Sequence, residues 1–364
     1  MNFVSQDTLP SVSVLGFGAV TPMGRDLQLV ASLLGRPPAA RLDSPLRIAD
    51  ELLSDTRTDR ALRRAGRSPR MAVLAAIDAW DEAGLACRDV AADRVGVIVA
   101  SGLGPHERTF KFLDGILDCG DDSALPTDFS HSVHNAAAAY ITATLGFRGR
   151  SCTVADFAVG FEQAVLLAQV WLAEGACDRV VVGAVEELGD VLLHVLPRML
   201  ASASIGARTV PGEGACFFTL GPSAVAGLAE LSATARRDAV DLFVMDEPAL
   251  PSIASPEASP PVRARRAVTF SPYFGHSATS SAFQTLGGLL CLRTGRVLGK
   301  DVHSARGARL TACIKNPLPL GGEGVLKHAL VETPNPTASV DSVWVCKRSS
   351  RNESLSLLLT RPGI

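Results

Sequence analysis

Along the chain, short runs dense in β-branched residues alternate with longer runs in which apolar residues return every three or four positions. "SVSVLGF", "RVGVIVAS", "SCTVADF" and "DRVVVGAVE" read as strands, and "MAVLAAIDAWDEAGL", "NAAAAYITATLGF" and "FEQAVLLAQVWLAEG" read as helices. Such alternation predicts an α/β layered fold. Near residue 225 the pattern restarts with "AVAGLAELSATA", "AVDLFVMD", "RRAVTFSP", "SSAFQTLGGLLCLRTG" and "ASVDSVWVC". Two half-domains are the economical reading, 1–225 and 226–364, although identity between them is too weak to prove a duplication. The Pro-, Ser- and Ala-rich segment 247–268 reads as an exposed loop that includes "RARR", 263–266. A turn-rich piece, "ASASIGARTVPGEG", leads to a strand at 215–220.

Composition narrows the chemistry. At 364 residues the chain is large enough for two subdomains or a duplicated layer. Its 35 Lys and Arg against 37 Asp and Glu leave a net charge of −2, which gives no electrostatic reason to expect nucleic acid or an anionic membrane as partner. The eight cysteines lie far apart without CxxC spacing and read as reduced core thiols. No secretory leader pattern and no apolar run of about 18 residues is present, so a cytoplasmic protein is expected. No metal cluster or phosphate-cradling loop emerges, and Gly16 and Gly18 form only part of a GxGxxG pattern. No cofactor is expected.

The run "TVADFAVGFEQA", 153–164, has the build of a nucleophile elbow: a strand end, a corner, a glycine, then a helix. Around it, "VSVLGFGAVTPMG", "DRVGVIVASGLG", "FSHSVHNAAAAYITATLGFRG", "EGACDRVVVGAVEE", "VPGEGACFFTL" and "YFGHSATSSAFQTLGGLLCLRTGRV" occur in one order. Together they resemble the β-ketoacyl synthases of the thiolase superfamily over nearly the whole chain. The resemblance implies a thiolase-like fold, with two similar βαβ half-domains in an α-β-α-β-α arrangement.

Chemistry in that family needs a cysteine at the start of a buried helix, where exposed amides favour the thiolate. It also needs two histidines, a lysine and a glycine-rich C-terminal turn. Counting from "FRG" and back from "EGACD" both place Ala158 at the cysteine position. Asp246, followed by Glu247, stands where the first histidine would be, and Ser271 where the lysine would be. His276 occupies the second histidine position; alone, it reads as a core or interface histidine rather than a catalyst. The glycine turn is replaced by "CKRSSRN", Cys346 to Asn352. No catalytic residue is therefore expected.

This pattern resembles the chain length factor, the noncatalytic subunit that pairs with an active ketosynthase in type II polyketide assembly, and the rebuilt turn looks like those of aryl-polyene and other highly reducing pathways. Better-known members carry Gln at the cysteine position, from which Ala158 departs. The resemblance implies a heterodimer with an active ketosynthase and contact with an acyl carrier protein. It implies an interface at His134, Asn135, Cys152, Val154, Asp156 and Phe157. From "PHERTFKFLDGIL" it offers Thr109, Phe110, Phe112, Leu113 and Ile116 as the plug that ends the acyl tunnel; ordinary core is an equal reading of the bulky ones. Other readings stay open: an acyltransferase using Ser130, Ser132 or Cys152, a malonyl decarboxylase, or a homodimeric scaffold. "RTDRALRRAGR", 57–67, reads as a solvated helical face or as a contact for an acidic carrier protein.

Overall fold

A computed structural model of the chain describes residues 9–38, 44–195, 210–233, 239–245, 262–301, 329–331, 339–348 and 354–362. The first half contains strands β1 (Val12–Val20), β2 (Val95–Ser101), β3 (Ser151–Ala155), β4 (Arg179–Glu186) and β5 (Gly214–Pro222). The second contains β6 (Ala229–Ser232), β7 (Ala239–Met245), β8 (Val262–Thr269), the short β9 (Lys300–Asp301) and β10 (Ala329–Val331), then β11 (Ser342–Arg348) and β12 (Ser354–Thr360). Helices are α1 (Leu27–Leu34), α2 (Asp59–Leu62), α3 (Arg67–Ala83), α4 (His106–Cys119), α5 (Pro126–Ser132), α6 (Ala136–Leu145), α7 (Gly160–Ala173), α8 (Ser271–Phe274) and α9 (Ser281–Thr294).

The strand order is β10-β8-β7-β11-β12-β6-β1-β5-β4-β2-β3, with β9 beside β8. Setting aside β9 and β10, each half runs third, second, fourth, fifth, first in its own chain order. Directions repeat too: β2 is parallel to β3 and β4, as β7 is to β8 and β11, while the remaining neighbours within each half are antiparallel. The halves join where Val12–Val14 pair antiparallel with Leu231–Ala229.

Helix α7 packs on β2, β4 and β5 of the first half and on β6 and β12 of the second, and α9 likewise touches β5 as well as β7, β11 and β12. These two helices are the central layer, and their apolar positions fuse both sheet faces into one core with Phe161, Phe218, Leu286 and Leu359 fully buried. The amide of the buried Gln169 in α7 ties the halves further, donating to Pro10 O and accepting from Ala233 N, each at 2.9 Å. On the outer face, α3 and α6 close a second core over β1, β2, β4 and β5. Gly16 and Gly18 permit that closeness: a Cβ at either would collide with the α3 backbone at Ala79 or Ala75.

Three sequence expectations change. The loop anticipated over 247–268 ends earlier: Val262 onward is strand, paired with β7 on one side and β10 on the other. "RARR" is therefore sheet, with Ala264 buried, Arg265 paired to Asp241 at 3.1 Å and Arg266 to Asp301 at 3.0 Å. Charged residues mimic a loop in the sequence, but their acidic partners are supplied by neighbouring strands. β12 had no sequence signal of its own, yet Leu357–Leu359 are buried between β11 and β6. Cysteines 87, 177, 216 and 291 are buried as expected, whereas Cys119, at the end of α4, is exposed. Residues 247–261 and 201–209, Cys313, and the side chain of Cys346 lie outside the described residues. Among those described, no helix is long and apolar enough to cross a membrane, and no cluster of His, Cys, Asp or Glu is disposed to hold a metal.

Candidate functional site

Strand β3 is the last in the sheet order and runs parallel to β2, from Val97↔Ser151 to Ser101↔Ala155. The chain turns over Asp156–Val159 and enters α7 at Gly160. Ala158 sits half-buried at that corner and offers only a methyl group. The backbone N–H groups of Ala158 and Val159 both donate to Asp156 Oδ1, each at 2.7 Å. Phe157 points outward and is 65% exposed.

Below the corner lies a buried carboxylate, Glu186 at the end of β4. It accepts hydrogen bonds from the amides of Gly102 and Leu103 and from Thr279 Oγ1, linking the turn after β2 to the turn before α9. Gly102 is hemmed in: a Cβ there would meet Ala278, Glu186 Oε1 at 3.3 Å and Phe157 at 3.4 Å. The amides of Gly102 and Leu103 are thus engaged by Glu186.

His276 is buried, and its backbone pairs in parallel with the chain at Val210–Gly212 through N–H to Val210 O at 2.9 Å and C=O to Gly212 N at 3.0 Å. Gly275, at φ +77°, lies directly against Gly212, and neither position has room for a Cβ. The "VPGEG" and "YFGH" blocks thus meet in space. Ser271, buried at the expected lysine position, belongs to a neutral network: its Oγ accepts from Gln284 Nε2 at 3.0 Å and Thr269 Oγ1 at 3.1 Å, while Gln284 Oε1 accepts from Phe270 N at 2.9 Å. Asp246 and the turn at 349–353 lie outside the described residues; the strands flanking that turn pair through Arg348↔Ser354.

A second polar cluster, absent from the sequence reading, supports the first. Glu213, fully buried, accepts from Ile48 N, Leu188 N and the Arg67 guanidinium. Glu187 accepts from Ser68 N and Glu107 N, and burial pushes its carboxyl up to about 7. His106 accepts from Gly189 N at Nε2, 3.1 Å, which places its proton on Nδ1; burial holds its pKa below the ordinary value. Consecutive glutamates at a strand end and a glutamate between glycines were the available signals.

The proposed plug helix projects from the body. Among the residues of α4 only His106 is buried, which departs from the ordinary-core reading. Thr109 Oγ1 donates to Ser132 O at 3.1 Å and Phe112 packs on Phe129, ring centroids 5.6 Å apart, so both face α5. Phe110 and Leu113 are 38% and 45% exposed, and Ile116 is half-buried. Leu117, Leu125, Phe129 and Val133 add exposed apolar surface. His134 and Asn135 are exposed, and the His134 ring covers Gly104. Cys152 and Val154 are half-buried on the edge strand. The apolar surface therefore runs from the elbow through His134 to the α4–α5 pair. Ser130 and Ser132 bond the carbonyls of Thr127 and Phe129 in their own helix.

The family profile "Beta-ketoacyl synthase, N-terminal domain" matches residues 46–214, a run that includes the elbow, Glu186 and Glu213. Solved structures agree over the full length. The ishigamide ketosynthase/chain length factor superposes with a TM-score of 0.69 at 16% identity, covering 98% of this chain and 100% of that one. The fold is that of the ketosynthases. This ketosynthase-like chain also matches a β-ketoacyl synthase from Burkholderia phymatum STM815, TM-score 0.67 at 15% identity over 97% of this chain and 99% of the other. A type II PKS acyl-carrier protein in complex with its ketosynthase bound to the hexaketide gives 0.68 at 16%, over 97% and 100%. Among curated sequences, "3-oxoacyl-[acyl-carrier-protein] synthase 2" of Synechocystis sp. is 28% identical over 162 residues, 41% of this chain and 39% of that protein. The enzyme of the same description from Coxiella burnetii is 26% identical over 158 residues, 39% and 37%. The alignments thus span less than half of these relatives.

Proposed function

We propose that this ketosynthase-like chain is a noncatalytic chain length factor. It pairs with an active ketosynthase in the cytoplasm and shapes the tunnel for a carrier-bound acyl chain in type II polyketide assembly, of the polyene kind. The observation that carries the reading is the elbow: a methyl group at Ala158 above amides already engaged by Asp156. No thioester can form there, so a fold of this kind contributes by shape beside a competent partner. The division into half-domains 1–225 and 226–364 belongs to this reading.

The partner surface is the apolar run from β3 and Phe157 to α4 and α5. Its burial would release water at about 25 cal/mol per Å². Phe110, Phe112, Leu113, Ile116 and Thr109 form the end of the tunnel once that surface is covered. The carrier protein meets this subunit at Arg60, Arg63 and Arg64, which are exposed near the start of α3.

Co-expression with a cysteine-bearing ketosynthase, followed by purification on a tag carried by this chain alone, tests the reading. A stoichiometric complex is expected, and this chain alone should gain no mass from acyl carrier protein substrates. Acylation of the isolated chain with release of extended product overturns it.

A further inference from the structure

The amide pair at the head of α7 is where the elbow keeps the means to hold a negative charge, and it is filled from within the chain. Asp156 Oδ1 lies 2.7 Å from both Ala158 N and Val159 N, at the short end of the usual N–H···O range of about 2.7–3.2 Å. A helix N-terminus attracts an anion because its first N–H groups lack intrahelical partners. A thiolate at position 158, or a thioester oxygen approaching it, would need the same two groups.

We propose that Asp156 is an internal anion that locks the elbow. It occupies the amides of Ala158 and Val159 just ahead of the helix and opposes thiolate formation at position 158, so that returning a thiol there would not restore a reactive site. This rests on the assignment of position 158 as the nucleophile position. A neighbour acts in the same direction. Glu186 places a second buried carboxylate under the corner, next to Gly102 and Phe157. Asp156 itself is held by its backbone, whose N–H donates to Ser101 O at 3.3 Å, and by its position at the end of β3.

The lock is tested by Ala158→Cys in three backgrounds: unchanged Asp156, Asp156→Asn and Asp156→Ala. The alkylation rate of the introduced thiol by iodoacetamide is followed against pH by peptide mass spectrometry, which keeps the exposed Cys119 separate, with melting and size as controls. With Asp156 in place the thiol should titrate at or above the ordinary value of about 8.5. Asp156→Ala should lower it by at least one unit, giving about tenfold more thiolate at neutral pH. Asp156→Asn, which removes charge but keeps an acceptor, should fall between. Equal reactivity in all three, or a low pKa with Asp156 present, overturns the proposal. Should the variants not fold, hydrogen exchange on the unaltered chain decides: slow amides at 158 and 159 support the lock, and fast ones refute it. Neither measurement uses a ketosynthase or carrier protein, so the lock and the chain length factor reading can fail separately.

Discussion

Removing the charge of Glu213 should be among the most damaging conservative changes in this protein. Its carboxylate is wholly buried and takes Ile48 N at 2.7 Å, Leu188 N at 2.9 Å, and two nitrogens of Arg67, the nearer at 2.6 Å. Glu213→Gln turns one oxygen into an NH2 group, and either orientation points that donor at donors. Arg67 keeps only the carbonyl of Ile48 and the exposed Asp50. Because Arg67 keeps Asp50, the cost is that of buried donors left unsatisfied, about 1–3 kcal/mol, still a large part of the roughly 5–15 kcal/mol by which domains are stable. The measurement is urea unfolding followed by tryptophan fluorescence and far-UV circular dichroism, for Glu213→Gln, Arg67→Met and the double variant. Coincident transitions justify the free energies. The double variant should be clearly less destabilised than the sum of the singles. A Glu213→Gln loss below about 1 kcal/mol, or singles that add to within about 0.5 kcal/mol, refutes the reasoning.

Glu187 gives a pH signature. Its pKa is raised from 4.5 to about 7, so its contribution to stability is fully present below 4.5 and is lost as pH rises through 7, about 3 kcal/mol at full extent. His106, lowered by burial, works in the opposite sense, so the quantity to measure is wild type minus Glu187→Gln in melting series from about pH 5 to 8; a constant difference contradicts the assignment. Phe110→Ala and Phe112→Ala in the reconstituted ketosynthase complex should lengthen the products, and unchanged lengths with the complex intact remove both from the plug. Gly18→Val should lower stability by about 1–3 kcal/mol in the same urea assay, because its side chain would enter the α3 backbone at Ala75 and Ala79; a smaller shift shows that the helix can move away. Among the described cysteines, Cys119 should be alkylated first and Cys216 and Cys291, both fully buried with thiols pushed up by that burial, last; mass-mapped labelling in the reverse order would place α4 differently.

The sequence by itself determined whatever depends on local period and on single positions. Apolar repeats of two and of three to four located the first-half strands and helices, because they report which face of an element meets the core. The residue at the corner, Ala158, was equally plain, since no neighbour can lend its side chain a reactive atom. Gly16 and Gly18 could be read as close-approach sites before α3 was seen to press on them. What joins residues distant in the chain was decided by the tertiary structure alone. Arg67 meets Glu213 across 146 positions and Ser271 meets Gln284 across a turn, and neither pair leaves a periodic trace. The start of β8 hid behind arginines whose counter-charges lie on β7 and β9, and the outward exposure of α4 followed from how it docks. Asp156 was written beside Ala158 from the start. Its role was not, because a carboxylate near a helix start can cap, pair or stand in solvent, and only the folded corner aims its oxygen at both amides.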